Sequence, residues 1–160
     1  MQLTGKQIIE RGIVSNYIPE AIQQQGVDVR VANIKELLGV GEVPAHGKTV
    51  LPNYVDANID GDKWVLRPGY YEVELMEGIH MPNNAALVYK TRSSLVRCGA
   101  TVESGQFDAG FDTSKAGCFL IVHRTIIIEK EARIAQVIVH ESAPVTNTYE
   151  GQFQGDKQRK

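Results

Sequence analysis

Between Trp64 and His140 the chain is a succession of short runs rich in Ile, Val and Tyr, broken at close intervals by turn residues. Trp64 to Leu66, Tyr70 to Met76 and Ala85 to Thr91 are separated by Arg67-Pro68-Gly69 and by Pro82-Asn83-Asn84. Gly117 to His123, Thr125 to Ile128 and Arg133 to His140 follow. Runs this short are strands rather than helices, and their spacing leaves no room for βαβ units. The pattern predicts an all-β domain, a distorted jelly-roll or β-barrel-like sandwich. At 160 residues the chain suits a single domain, 1–160, with the polar stretch 156–160 expected to be a mobile tail.

Two short helices are expected. Thr4 caps one that runs through Arg11 and ends at Gly12. A second, of one or two turns, follows the strand into Arg92, capped by Ser93 or Ser94 and stopped by Gly99. Gly26-Val27-Asp28-Val29-Arg30-Val31 alternates as a half-buried strand, and Ile34 to Leu38 reads as a weak helix. Residues 39–63, rich in Gly, Pro, Asn and Asp, read as loop with one short strand at Thr49 to Leu51.

A formal net charge of -2 excludes the basic excess that nucleic-acid or anionic-membrane binding requires. The first residues hold no long apolar run, so neither a signal peptide nor a spanning helix is expected. Cys98 and Cys118 form no CxxC pair, which fits a reduced, cytoplasmic setting, and both are expected to be small buried residues. His46, His80, His123 and His140 lack metal-ligand spacing. Glu72, Glu74 and Glu77 read as a solvated face, and Trp64, Tyr70 and Tyr71 as core or interface.

Four segments carry candidate chemistry. In Arg92-Ser93-Ser94-Leu95-Val96-Arg97-Cys98-Gly99 the hydroxyl of Ser93 and the guanidinium of Arg97 lie four apart and can meet one phosphate at a helix start. Taken alone, a capped surface helix with solvated arginines explains that segment as well. Gly105-Gln106-Phe107-Asp108-Ala109-Gly110-Phe111 places one carboxylate between glycines and aromatics at an expected hairpin. The glycines admit a planar base and Asp108 can hold a water; a tight Asp/Gly turn is the plainer alternative. Gln136, in Arg133-Ile134-Ala135-Gln136-Val137, can donate to a phosphate or satisfy a neighbouring strand. Tyr149-Glu150-Gly151-Gln152-Phe153-Gln154-Gly155 has the aromatics and glycines of a closing flap.

In this order the segments resemble the dUTPase/dCTP deaminase superfamily, nearest to its archaeal-type dUTPases. Leu66-Arg67-Pro68-Gly69 through Arg97 looks like the approach to that family's second motif, Gly105 to Phe111 like its third and Arg133-Ile134-Ala135-Gln136 like its fourth. Gly26 to Arg30 is similar to the first motif of the deaminase branch, and Tyr149 to Gly155 to that branch's C-terminal signature. The resemblance implies a homotrimeric dUTPase fold with sites between subunits, and dUTP as substrate with Mg²⁺ held mainly by its phosphates. It implies that Arg92, Ser93, Ser94 and Arg97 meet the phosphates and that Gln136 contacts the α-phosphate region. Asp108 would position the attacking water, and Phe111 would pack on the deoxyribose; Phe107, Tyr149, Gln152 and Phe153 complete the substrate-binding set.

The superfamily runs two reactions. Its deaminases carry a Glu five residues past a turn glycine, and the matching position after Gly117 is Val122, with no carboxylate between Asp112 and Glu129. Valine carries no proton, so hydrolysis of dUTP to dUMP and pyrophosphate is the expected reaction. A dCTP deaminase or bifunctional enzyme would need another base such as His123; a non-catalytic nucleotide-binding trimer is the third reading. The sequence departs from the family pattern at Asp112 to Ala116, which looks like an insertion, at Phe111, at Gln152 and at Asp156, and in lacking a glycine-rich fifth motif.

Overall fold

Thirteen strands, two short α-helices and one 3₁₀ turn (Pro19–Ala21) make up the computed structural model, which describes residues 1–156. Helix α1 (Gly5–Glu10) starts at Thr4, whose hydroxyl accepts from the Gln7 amide while the Gln7 side chain accepts from the Thr4 amide. This capping box replaces two bonds that a six-residue helix cannot make internally. Gly12, at φ +67°, releases the chain into β1 (Val14–Ser15), and β2 (Ile22–Gln23) leads into the long β3 (Gly26–Leu38).

Two expectations fail in β3. Residues 26–31 are not half-buried but buried throughout, because β3 is sandwiched between neighbours on both edges. Ile34 to Leu38 is not a helix but the second half of the same strand. A register shift between Val31 and Asn33 lets this half pair with β4 (Asn53–Asp56) and with β6 (Gly69–Leu75). Two ladders of backbone hydrogen bonds outweigh the helix propensity of Lys35-Glu36-Leu37-Leu38. The expected strand at Thr49 to Leu51 is reduced to a single bridge, Val50 to Glu42.

β5 (Lys63–Leu66) and β6 flank the Arg67-Pro68 turn, and β7 (Gly78–His80) is followed by β8 (Ala85–Thr91). Helix α2 (Ser93–Arg97), β9 (Ala100–Glu103), β10 (Asp112–Thr113), β11 (Gly117–Val122), β12 (Ile126–Glu129) and β13 (Arg133–Glu141) complete the chain. The main sheet runs β8-β13-β3-β6-β11-β9, every pair antiparallel. Its two ends approach each other, for the Val102 amide of β9 donates to the Thr91 hydroxyl of β8 at 2.9 Å. The result is a near-closed barrel around Val29, Val31, Val73, Leu75, Leu120 and Val137, all without solvent exposure. A smaller sheet, β1-β7-β10, and the pair β5-β12 cover its flanks.

Glu77 also departs from expectation. It is fully buried rather than solvated, and accepts from the Arg30 amide at 2.8 Å and from Arg30 Nε at 2.7 Å. Burial pushes its carboxyl above the usual range, against the opposing pull of Arg30. Cys98 is exposed rather than buried, Cys118 is buried as expected, and the two form no disulfide. Trp64 and Tyr71 are buried, whereas Tyr70 is exposed and stacks on Phe119. Among the described residues no helix is long and apolar enough to cross a membrane.

Candidate active site

The predicted site residues fall into two clusters at opposite ends of the β8–β13 ladder. At one end Asp28, Lys90, Thr91, Arg92, Ser93 and Gln136 line a cleft of about 250 Å³. β13 supplies Gln136 in register with both Asp28 on β3 and Lys90 on β8, so three strands converge there. Gly26 makes the crossing possible, since a Cβ on it would stand 2.3 Å from the Val137 carbonyl oxygen.

Asp28 organises this end, although the sequence reading names no role for it. Its Oδ2 lies 3.1 Å from Arg92 Nε and 3.3 Å from Arg133 Nη1, and its Oδ1 accepts from Gln136 Nε2 at 3.4 Å. Burial pushes the carboxyl upward, while Arg92, Arg133 and Gln136 each pull it down. One buried carboxylate thus fixes the orientation of a guanidinium and an amide that border the cleft. The signal was present in Gly26 to Arg30, but the alternating pattern there reads as a strand with polar residues facing water.

Helix α2 begins one residue earlier than the capping chemistry predicts. Arg92, not a serine, is the N-cap, in extended conformation and without a side-chain cap. Its amide still donates to the Ile134 carbonyl of β13 and its side chain turns to Asp28, so Ser93 becomes the first helical residue. Ser93 borders the cleft; Ser94 and Arg97 are exposed on the helix.

At the other end Ala85, Ala86, Gln106, Asp108, Ala109, Ser142, Val145, Asn147, Thr148 and Tyr149 enclose a cleft of about 400 Å³. The loop carrying Asp108 is not a hairpin. It links β9 to β10, strands of different sheets, and Phe107 makes a bridge to Leu87 of β8 on the way. Asp108 is exposed and accepts from Gln106 Nε2 at 2.9 Å. Tyr89, Phe107, Phe111 and Tyr149 form a chain of edge-on rings with centroids 5.1, 5.1 and 5.5 Å apart.

The C-terminal segment folds back onto this loop. Gly110, at φ +84°, would place a Cβ 2.4 Å from Thr148 Cβ, so its bare face receives the tail rather than a base. The space around Gly105 is open. Gln152 donates to the Thr49 carbonyl at 3.0 Å, and Phe153 is exposed, its amide donating to the Tyr149 hydroxyl. Asp156, expected within a mobile tail, accepts three hydrogen bonds from Thr113 and Ser114; positions 157–160 lie outside the described residues.

The model of the dCTP deaminase-like family matches residues 2–142. The chain belongs to that family. Within its sequence relatives, a deoxyuridine 5'-triphosphate nucleotidohydrolase of Methanocaldococcus jannaschii is 36% identical over 148 residues, covering 91% of this chain and 94% of its own length. A probable deoxyuridine 5'-triphosphate nucleotidohydrolase of Aeropyrum pernix is 29% identical, covering 98% and 99%. Among solved structures, the 2'-deoxycytidine 5'-triphosphate deaminase of Agrobacterium tumefaciens superposes with a TM-score of 0.67 at 17% identity, over 89% of this chain and 49% of that one. This chain therefore spans about half the length of that deaminase, and the likeness is one of fold. The sequence relatives that match nearly the whole chain are thus named for hydrolysis.

Proposed function

We propose that this protein hydrolyses dUTP to dUMP and pyrophosphate by attack of water on the α-phosphate. The observation that carries the choice of reaction is the cleft around Asp108. Among the described residues its lining holds one carboxylate and no His, Cys or Glu, and Val122 is packed into the core at 2% exposure. Deamination needs a group that carries protons between water and the ring amine, whereas hydrolysis needs an oriented water and donors for the departing charge. The two relatives named as dUTP nucleotidohydrolases match across nearly the whole chain, which supports the same substrate.

In this reading Asp108 accepts a hydrogen bond from the attacking water, and Arg92, Ser93, Ser94 and Arg97 neutralise the phosphates. Gln136 donates toward the α-phosphate, held in place by Asp28. Phe111 meets the deoxyribose, kept upright by Phe107 on one side and Tyr149 on the other. Gln152 and Phe153 close the outer edge of the flap. The donor set of Arg92, Ser93, Ser94, Arg97 and Gln136 fits a triphosphate that brings its own Mg²⁺. When bound, Mg²⁺ supplies neutralisation of the pyrophosphate leaving group.

The site is shared between chains of a homotrimer. Asp108 and Ser93 border clefts at opposite ends of the β8–β13 ladder, and from Ala86 in one to Lys90 in the other is four strand steps, about 13 Å, which supports a site completed by a neighbouring chain. The phosphate-side cleft alone is also smaller than the ~300–1,000 Å³ of ordinary ligand pockets. Val65 and Ile127, register partners that are 61% and 62% exposed, offer apolar surface for a neighbour. Residues 1–160 act as one domain, and the exposed free Cys98 suits a reducing cytoplasm.

Incubation with dUTP or dCTP and Mg²⁺ tests the proposal. Pyrophosphate from dUTP and no ammonia from dCTP is the expected result; ammonia from dCTP, or dUTP bound and left intact, overturns it.

A further inference from the structure

The segment from Thr148 to Asp156 makes contacts that substrate binding does not account for. Its last described residue, Asp156, accepts from Thr113 Oγ1 at 2.8 Å, from the Ser114 amide at 2.8 Å and from Ser114 Oγ at 2.6 Å. Just before it, the Gly155 amide donates to the Asp112 carbonyl at 3.0 Å, and Gln154 Oε1 accepts from the Asp112 amide at 2.9 Å. Gln154 Nε2 also donates to the Gly110 carbonyl at 2.9 Å. Further back, the Tyr149 amide donates to the Ala109 carbonyl at 2.8 Å. The segment is therefore stitched along the loop that carries Asp108, from Ala109 to Ser114.

The receiving strand is itself held. Asp112 of β10 is the register partner of His80, and its Oδ1 lies 2.5 Å from His80 Nδ1. His80 Nε2 in turn lies 2.9 Å from the Ser15 hydroxyl on β1. A Cβ on Gly78 between these strands would meet Ser15 Oγ at 2.5 Å and the Thr113 carbonyl at 2.8 Å, so the small sheet is packed without slack. The chain Ser15–His80–Asp112 makes a rigid anchor of β10.

We infer that Thr113, Ser114 and Asp156 form a clasp that docks the C-terminal segment in cis, onto the Asp108 loop of its own chain, before nucleotide arrives. With the clasp shut, Thr148 and Tyr149 are walls of the Asp108 cleft, and that half of the site is pre-formed. Thr113, Ser114 and Asp156 are thus positioning residues: they touch no substrate and act through Tyr149. The inference rests on the hydrolase reading for its ligand, and not for the docking itself.

Two experiments test it on the full chain. With Cys98→Ser removing the exposed thiol, Ser114→Cys combined with Asp156→Cys is oxidised and run without reductant. A cross-link within single chains is expected; a band of two linked chains, or no link, overturns docking in cis. Asp156→Ala is then compared with Asp156→Glu. Without nucleotide, amide exchange over residues 146–156 is expected to speed up in Asp156→Ala and to be restored in Asp156→Glu. For dUTP turnover, Asp156→Ala is expected to raise KM about tenfold with kcat unchanged, as loss of one or two net hydrogen bonds would. Unchanged exchange, or a fall in kcat with KM unmoved, overturns the clasp. The cross-link and exchange need no turnover, so failure of the hydrolase reading leaves both readable.

Discussion

Asp28 shows how one side chain sets the chemistry of a cleft. A carboxylate almost without solvent contact is costly, and here two guanidinium groups and an amide offset the cost. Its pKa is raised by burial and restrained by Arg92 and Arg133, so removing a restraining cation moves it further up. In Arg133→Gln the carboxylate is then lost earlier as pH falls. The acid limb of the kcat/KM profile is expected to shift to higher pH, while the plateau near neutrality is largely kept. An acid limb that stays in place would show that Asp28 takes no part in turnover. Asp108 calls for the opposite kind of test, because it is exposed and carries one hydrogen bond, from Gln106. Asp108→Asn keeps the shape and loses the charge that the proposed reaction uses to hold water. It is expected to lower kcat by about 10²–10⁴ with nucleotide binding retained. The sequence pointed to residues that border clefts, Asp108 one of them and Arg92, Ser93 and Gln136 the other, but not to the separation of the two. Asp28 was not legible there, because an alternating strand gives no sign that both its faces are covered.

Elements were legible where the signal was local. The Thr4 cap, the turn at Arg67-Pro68-Gly69 and strands such as β8 and β11 each carry their own chemistry, and each is where the residues predict it. The larger misreadings are cases where a distant partner decides. Ile34 to Leu38 is drawn into a strand by β4 and β6, and Ser93 loses the cap because Arg92 remains hydrogen-bonded to β13. Glu77 looked like the third of a row of solvated acids, yet it follows β6 into the interior and closes on Arg30, 47 positions away. That pair links β3 to the start of β7 and also caps the Arg30 amide. Glu77→Ala would leave Arg30 buried beside an unsatisfied amide. It is expected to destabilise the protein by about 3–5 kcal/mol in denaturant unfolding, and Glu77→Gln by less. A loss below about 1 kcal/mol would mean that water reaches Arg30 in the folded state.

For the whole molecule, the division of the site between two ends of one ladder governs how it can work. On the proposed reading, a barrel with Arg92 and Ser93 at one end as phosphate donors and Asp108 at the other as the water-holding acid has half a site twice over. In the proposed homotrimer it becomes competent when the Asp108 end of one chain meets the Arg92 end of the next, a head-to-tail contact that closes in a ring. Such an arrangement lets two dead variants rescue each other. Chains carrying Asp108→Asn retain a sound phosphate end, and chains carrying Arg92→Ala with Ser93→Ala retain a sound Asp108 end. If the two are unfolded together and refolded as an equal mixture, each shared site draws its halves independently. About a quarter of the sites then receive both intact halves, so activity is expected to rise from near nothing to about a quarter of the wild-type value. Sites built within single chains would give no gain at any mixing ratio, because every chain would carry one broken half. The dependence on mixing ratio adds a second check. A shared site follows the product of the two fractions and peaks at equal amounts, whereas contamination by active protein would scale with one component alone.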